Sequence, residues 1–256
     1  MKLLKWELNS HINLFAINLD GAVMNARQIP GLSSVKQDVC VESVARYFGG
    51  TGYIGNKKTD DRIRNAIAKA SSLIRPKGTY TLFGVLDYIP GKEVILENGI
   101  GLSIPECFTD KGIQFVAAAI GTLGNKLENQ TRILADQGKI YESTLLDCVG
   151  IAMLDLMGEK ICKTIELESY SLGLAKRFRF APGLEGYPLE QQQQLFLLAD
   201  NEAVGVLLNS SAIMMPAKSI SFFLMLTKTG KKREEKNKCS SCRMAGCRFR
   251  IINKKD

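Results

Sequence analysis

Gln114-Phe115-Val116-Ala117-Ala118-Ala119-Ile120 carries six apolar residues in succession after its opening glutamine. The run is too short for an independent helix and shows no alternation, so it reads as a strand covered on both faces. Working outward, Thr79–Leu86 and Glu93–Glu97, separated by the Pro90-Gly91 turn, read as strands before it. After it come two helical stretches, about Leu123 to Gln137 and Tyr141 to Glu166, then a Gln-rich helix ending near Asp200. Ala203–Leu208 and Ser219–Leu226 read as two closing strands. Strands and helices are grouped instead of strictly alternating. That order predicts α+β architecture, a twisted, mostly antiparallel sheet with flanking helices.

The region before the first strand holds two helices. Asp38 reads as the N-cap of one, with Val41, Val44, Ala45 and Phe48 at i, i+3, i+4 and i+7. Thr59 reads as the cap of the next, with Asp60 and Asp61 at its positive end and Ile63, Ile67, Ala70 and Ile74 as its stripe. It must stop before Pro76. Residues 1–36 have loop signals at Asp20-Gly21 and Pro30-Gly31 and read as an irregular lead-in. The expected organisation is therefore 1–36 lead-in, 37–227 folded domain and 228–256 tail.

Composition narrows the functional classes. The chain has 256 residues, 45% hydrophobic and 23% charged, the proportions of a globular protein with a core needing no staple. No apolar run reaches the roughly 20 residues that span a bilayer, so no membrane role is expected. The opening residues are broken by Glu7, Asn9 and His11, so no signal-peptide core is expected either. Seven cysteines, an odd number, then suggest reduced thiols and a cytoplasmic location. Lys228–Asp256 holds eleven Lys and Arg against three acids, which is 11 − 3 = +8, the formal charge of the whole chain. The body is neutral and the tail basic, a pattern unlike a nucleic-acid-binding surface spread over a domain.

Three motifs carry chemistry or its semblance. Gly50-Thr51-Gly52-Tyr53-Ile54-Gly55 spells GxGxxG, but helical periodicity precedes it and no acid follows about 20 residues on, as a dinucleotide site requires. It reads as a loop between helices. Cys239, Cys242 and Cys247 lie within nine basic-flanked residues. CxxC spacing suits one metal, but structural zinc takes four ligands. Zinc with a fourth ligand from elsewhere, an iron–sulfur cluster with one non-cysteine site, and free thiols are the open alternatives. Cys40, Cys107, Cys148 and Cys162 read as core thiols, and His11 as a surface residue. Finally, the stretch Lys176–Pro188 reads as a loop. Within it Arg179-Phe180-Ala181-Pro182-Gly183 sets an arginine before a Pro-Gly turn, a position from which its guanidinium can fork onto a carboxylate.

That last motif does not stand alone. Arg179–Gly183, Pro188–Gln192, Gly205-Val206, Met214–Ser219, Ala118–Gly124 and Leu146–Gly150, in that spacing, resemble the activation (reactivation) domain of cobalamin-dependent methionine synthase, in its stand-alone form. The likeness covers roughly Asp38 to Leu226. It implies an activation-domain fold that binds S-adenosylmethionine and serves a corrinoid protein. By resemblance, Arg179 holds the ligand carboxylate, the Ala181 and Gly183 backbone lines the ligand, and Asp155 stands where the family has a glutamate facing the cationic end. Leu184 stands where many relatives carry tyrosine. The implied reaction reduces cob(II)alamin by one electron and traps the sulfonium methyl on cobalt. No DxHxxG corrinoid signature is present, so cobalamin is expected on a separate corrinoid protein or methionine synthase acting in trans. The basic tail is then expected to steer an acidic electron donor of flavodoxin or ferredoxin type. The rival class is a nucleic-acid-binding protein using the tail as a zinc knuckle. Phe249 is the tail's single aromatic residue, which counts against it. A methyltransferase acting on a small molecule ranks last, because no positioned general base stands out.

Overall fold

A computed structural model describes residues 26–50, 53, 55–104, 112–184, 187–228 and 247. The chain enters through strand β1 (Arg27–Gln28), a 3-10 turn (Leu32–Ser34) and helix α1 (Val35–Asp38), then helices α2 (Val41–Gly49) and α3 (Lys57–Leu73). Strands β2 (Lys77–Ile89), β3 (Glu93–Leu96), β4 (Gly101–Ser103) and β5 (Ile113–Thr122) follow. Helices α4 (Lys126–Asp136) and α5 (Ile140–Tyr170) lead to β6 (Leu174–Phe180). The last elements are α6 (Gln191–Leu198), α7 (Asn201–Val204), β7 (Leu207–Leu208), β8 (Met214–Met215) and β9 (Ser219–Lys228).

The main sheet runs β4-β3-β2-β5-β9-β6 with β1 added to β2, and every described pairing is antiparallel. β5 is central, paired to β2 from Lys77↔Thr122 to Gly84↔Phe115 and to β9 from Ile113↔Thr227 to Thr122↔Ser219. Its apolar run has a plain cause. Ala117 and Ala119 face the packing of α2, α3 and α5, while Val116, Ala118 and Ile120 face a second core with Phe223, Met225, Leu195 and Val206. Both faces of the strand are buried, so no polar alternation is left to see.

Helix α5 spans 31 residues and lies across the first face. Gly121 of β5 admits it: a methyl group there would sit 2.7 Å from Ile161 Cδ1 and 3.0 Å from Met157 Cε. Ion pairs tie the same helix to its surroundings, Lys160 to Asp38, Lys218 to Asp147, Lys176 to Glu166 and Arg27 to Glu168. None of the helices, within the described residues, is long and apolar enough to cross a membrane.

Four local expectations change. Asp38 ends α1, and α2 is capped by Cys40, whose backbone N–H donates to Ser43 Oγ at 3.3 Å. Asn56, not Thr59, caps α3, its side chain accepting from the Thr59 N–H at 3.0 Å. The expected loop from Lys176 begins as the edge strand β6, which the β9 pairing extends to Phe180. Ala203 and Val204 belong to α7, leaving Leu207–Leu208 as a two-residue strand. Cys148 and Cys162 are buried as expected, but Cys40 is exposed, because an N-cap sits at the helix end facing solvent. Cys107 and His11 lie outside the described residues. The GxGxxG letters fall between α2 and α3, so a helix and not a strand leads into them.

Candidate functional site

β6 presents Arg179 toward α5. An irregular register between Lys176 and Phe178 rotates the strand so that Phe178 and Phe180 enter the second core. Arg179, opposite Leu224, faces the helix layer. Its guanidinium lies over the Phe222 ring, 4.9 Å from the centroid, and Nη1 donates to Cys162 Sγ at 3.7 Å. Gly158 leaves the room: a Cβ there would lie 3.4 Å from Arg179 Nη1 and 2.7 Å from Ile220 Cδ1. Among the described residues Arg179 has no carboxylate partner. A half-buried, braced guanidinium without an acid can take an anionic group by a forked contact.

The chain then turns. Ala181 packs against the helix-side core, and Gly183 adopts φ +80, a left-handed value that glycine takes without strain. The Leu184 N–H donates to Ala181 O at 3.1 Å, and the Gly183 N–H to Tyr187 O at 2.9 Å. Tyr187 pins the far side of this turn. Its ring packs edge-on against Phe180, centroids 4.6 Å apart, and its hydroxyl donates to Gln191 Oε1 at 3.2 Å. Burial pushes its phenol pKa well above the ordinary value. Behind it the buried Gln192 side chain bonds Ser221 through both amide atoms, at 2.7 and 3.1 Å.

Asp155 lies on α5 one turn before Gly158, on the flank facing α2. There a cleft of about 330 Å³ is lined by Glu42, Ser43, Arg46, Ala152, Asp155 and Glu159, with Leu156. Asp155 Oδ2 accepts from the Tyr47 hydroxyl and lies 3.4 Å from Arg46 Nη2. Desolvation first, and the Asp155 carboxylate second, push the Tyr47 phenol pKa upward. Glu42, at the start of α2, is held below the usual carboxylate range by its own backbone N–H and the Cys40 side chain. The cleft thus sets three carboxylates against one guanidinium.

The structure sets Arg179 on β6, Ala181 and Gly183 in the turn that follows it, and Asp155 on α5 one turn before Gly158, while the cleft beside Asp155 is lined by none of the other three. Sequence reading missed Tyr47 and Arg46 as partners of Asp155, and Phe222 and Cys162 as the brace for Arg179. The signal for the first pair was present, since Glu42, Ser43, Arg46 and Tyr47 flank the apolar stripe of α2. The second pair comes together only through strand pairing. Of the tail cysteines, Cys239 and Cys242 lie outside the described residues, and Cys247 is half-buried. No group of three or more His, Cys, Asp or Glu able to hold a metal occurs among the described residues.

No family model matches the chain, and no curated protein does. Among solved structures, the fold is similar to that in the crystal structure of the MetH reactivation domain bound to AdoHcy. The TM-score is 0.54, the identity 14%, and the match covers 86% of this chain and 85% of that one. At that identity the likeness is one of architecture: an antiparallel sheet with flanking helices, shared across most of both chains.

Proposed function

We propose that this protein binds S-adenosylmethionine on the β6–α5 side of the sheet and supports reductive methylation of cob(II)alamin held by a separate corrinoid-dependent methyltransferase such as methionine synthase. The observation that carries the reading is Arg179, a half-buried guanidinium braced by Phe222 and Cys162 with no acidic partner among the described residues. The likeness of fold to a domain solved with AdoHcy supports the ligand class. The ligand is a zwitterion with a sulfonium, and the residues suit it. Arg179 would take the carboxylate, the Ala181–Gly183 backbone the adenosyl portion, and Asp155 the cationic end. Gly158, with no side chain, lets the Arg179 guanidinium lie close against α5, one turn from Asp155. When bound, S-adenosylmethionine supplies the methyl group; the chain's own part is to orient it and keep water from the sulfonium. Residues 37–227 form this ligand-binding unit in our reading.

Calorimetry under anaerobic conditions tests it. Wild type should bind S-adenosylmethionine saturably, and Arg179→Ala should weaken binding by roughly tenfold to a hundredfold, the loss of a charge-assisted bidentate contact. Equal binding by both proteins, or none by wild type, sinks the reading.

We further propose that the +8 tail docks an acidic electron donor and that Cys239, Cys242 and Cys247 hold zinc or an iron–sulfur cluster beside it. Metal analysis of purified protein against the triple Cys→Ser variant separates this from free thiols. No observation on the described residues favours a nucleic-acid partner for the tail.

A further inference from the structure

Both contacts to Asp155 fall on one oxygen. The Tyr47 hydroxyl donates to Oδ2, and Arg46 Nη2 lies 3.4 Å from the same atom. Oδ1 has no hydrogen-bond or ion-pair partner among the described residues, and the side chain is 42% exposed. A carboxylate on a helix surface has rotational freedom, and aspartate beside arginine would ordinarily offer both oxygens to the fork. Here the ion pair uses one oxygen only, and the fork is not formed among the described contacts. Arg46 instead stacks over the Tyr47 ring, 4.8 Å from its centroid, also donates to the Tyr47 oxygen at 2.9 Å, and leaves its buried Nε without a partner among the described residues. Tyr47 therefore stands between the arginine and full neutralisation of the acid.

We propose that Tyr47 is a positioning residue that holds Asp155 by Oδ2, so that Oδ1 is offered to a cation entering the α2–α5 cleft and the site prefers a sulfonium to the uncharged thioether. This rests on the S-adenosylmethionine reading above and adds its specificity element. The floor of the cleft fits such a cation. Ala152 and Leu156 give apolar cover, and Glu42 and Glu159 add negative charge around it. A sulfonium carries its charge on an apolar body and needs field more than hydrogen bonds. Without the phenol, Asp155 is free to take Arg46 by both oxygens, and Oδ1 is no longer offered to the cation.

The test is the ratio of affinities for S-adenosylmethionine and S-adenosylhomocysteine, measured by calorimetry on the full chain. Wild type should favour the sulfonium, and Tyr47→Phe should lower that ratio by about fivefold or more while S-adenosylhomocysteine binding changes little. Asp155→Asn should lower the ratio likewise, and unchanged melting temperatures exclude misfolding as the cause. Wild-type binding with a ratio that Tyr47→Phe leaves intact overturns the positioning role alone. Binding of neither ligand by wild type overturns the site reading and this inference with it.

Discussion

Arg179 is made useful by what surrounds it. A surface arginine is solvated and mobile; this one is stacked on Phe222 and held at Cys162, so less side-chain entropy is lost when a ligand arrives. Gly158 is the residue that permits this. Gly158→Leu replaces a poor helix former by a good one, so any loss must come from packing against Ile220 and Arg179. We expect destabilisation of about 1–3 kcal/mol in urea melts, together with loss of ligand binding. A gain in stability would mean that α5 stands further from β6 than described. Thiol chemistry gives a second check at this scale. Cys40 is exposed whereas Cys148 and Cys162 are buried. Cys40→Ser should therefore remove one fast-reacting thiol from the native protein, and Cys148→Ser none.

At the scale of elements, α5 organises the helix layer. It packs against α1, α2, α3 and α4 and against β5, β6 and β9. That explains why its apolar residues run almost all round instead of along a stripe. Its ion pairs are half-exposed and worth little singly; they set direction more than stability. The start of α3 offers a sharper test. Asn56→Ala removes the side chain that accepts from the Thr59 N–H and should cost about 1 kcal/mol. Thr59→Ala should cost little, because Thr59 contributes its backbone N–H there. The reverse order would restore the cap that the sequence suggests.

Among the described tyrosines, Tyr47, Tyr80 and Tyr187 have phenols pushed well above their ordinary pKa, in each case chiefly by burial, and Tyr53 is raised too. Tyr80 also donates to Glu168, which Arg27 pairs at 2.6 Å, so it ties β2 to α5 and the entering chain. A phenol that titrates higher when folded contributes stability fully present below its unfolded pKa of about 10 and lost as pH rises beyond it. Unfolding free energy should hold steady near neutrality and fall above about pH 10. Tyr187→Phe should shallow that fall, since it removes one of the phenols that titrates higher in the folded state. A flat profile to high pH would mean that these rings are more accessible than the core packing allows.

Much of this was legible in the chain. The apolar run at Val116–Ile120, the stripe Ile63, Ile67, Ala70 and Ile74, and the grouping of strands and helices all report local periodicity. Periodicity follows from which faces are buried, so α+β with an antiparallel sheet was within reach. Helix caps were less so, because which residue stays extended just before the first turn, Asn56 and not Thr59, Cys40 and not Asp38, is selected by packing beyond the local pattern. The strand at Leu174–Phe180 was hidden in a basic segment. It is a strand because β9 offers it a ladder and a bulge turns its phenylalanines inward, not because its residues alternate. The arginine before Pro-Gly and the aspartate on the long helix were visible as residue types. What braces the first and what holds the second, Phe222 and Cys162 in one case, Tyr47 and Arg46 in the other, come from 17 to 109 positions away. The sequence by itself determined most of the elements, the two-sided core and the neutral body with its basic tail, since these depend on composition and short-range pattern. The tertiary structure alone decided which charges stay unpaired, because contacts between residues distant in the chain exist only once the sheet has closed.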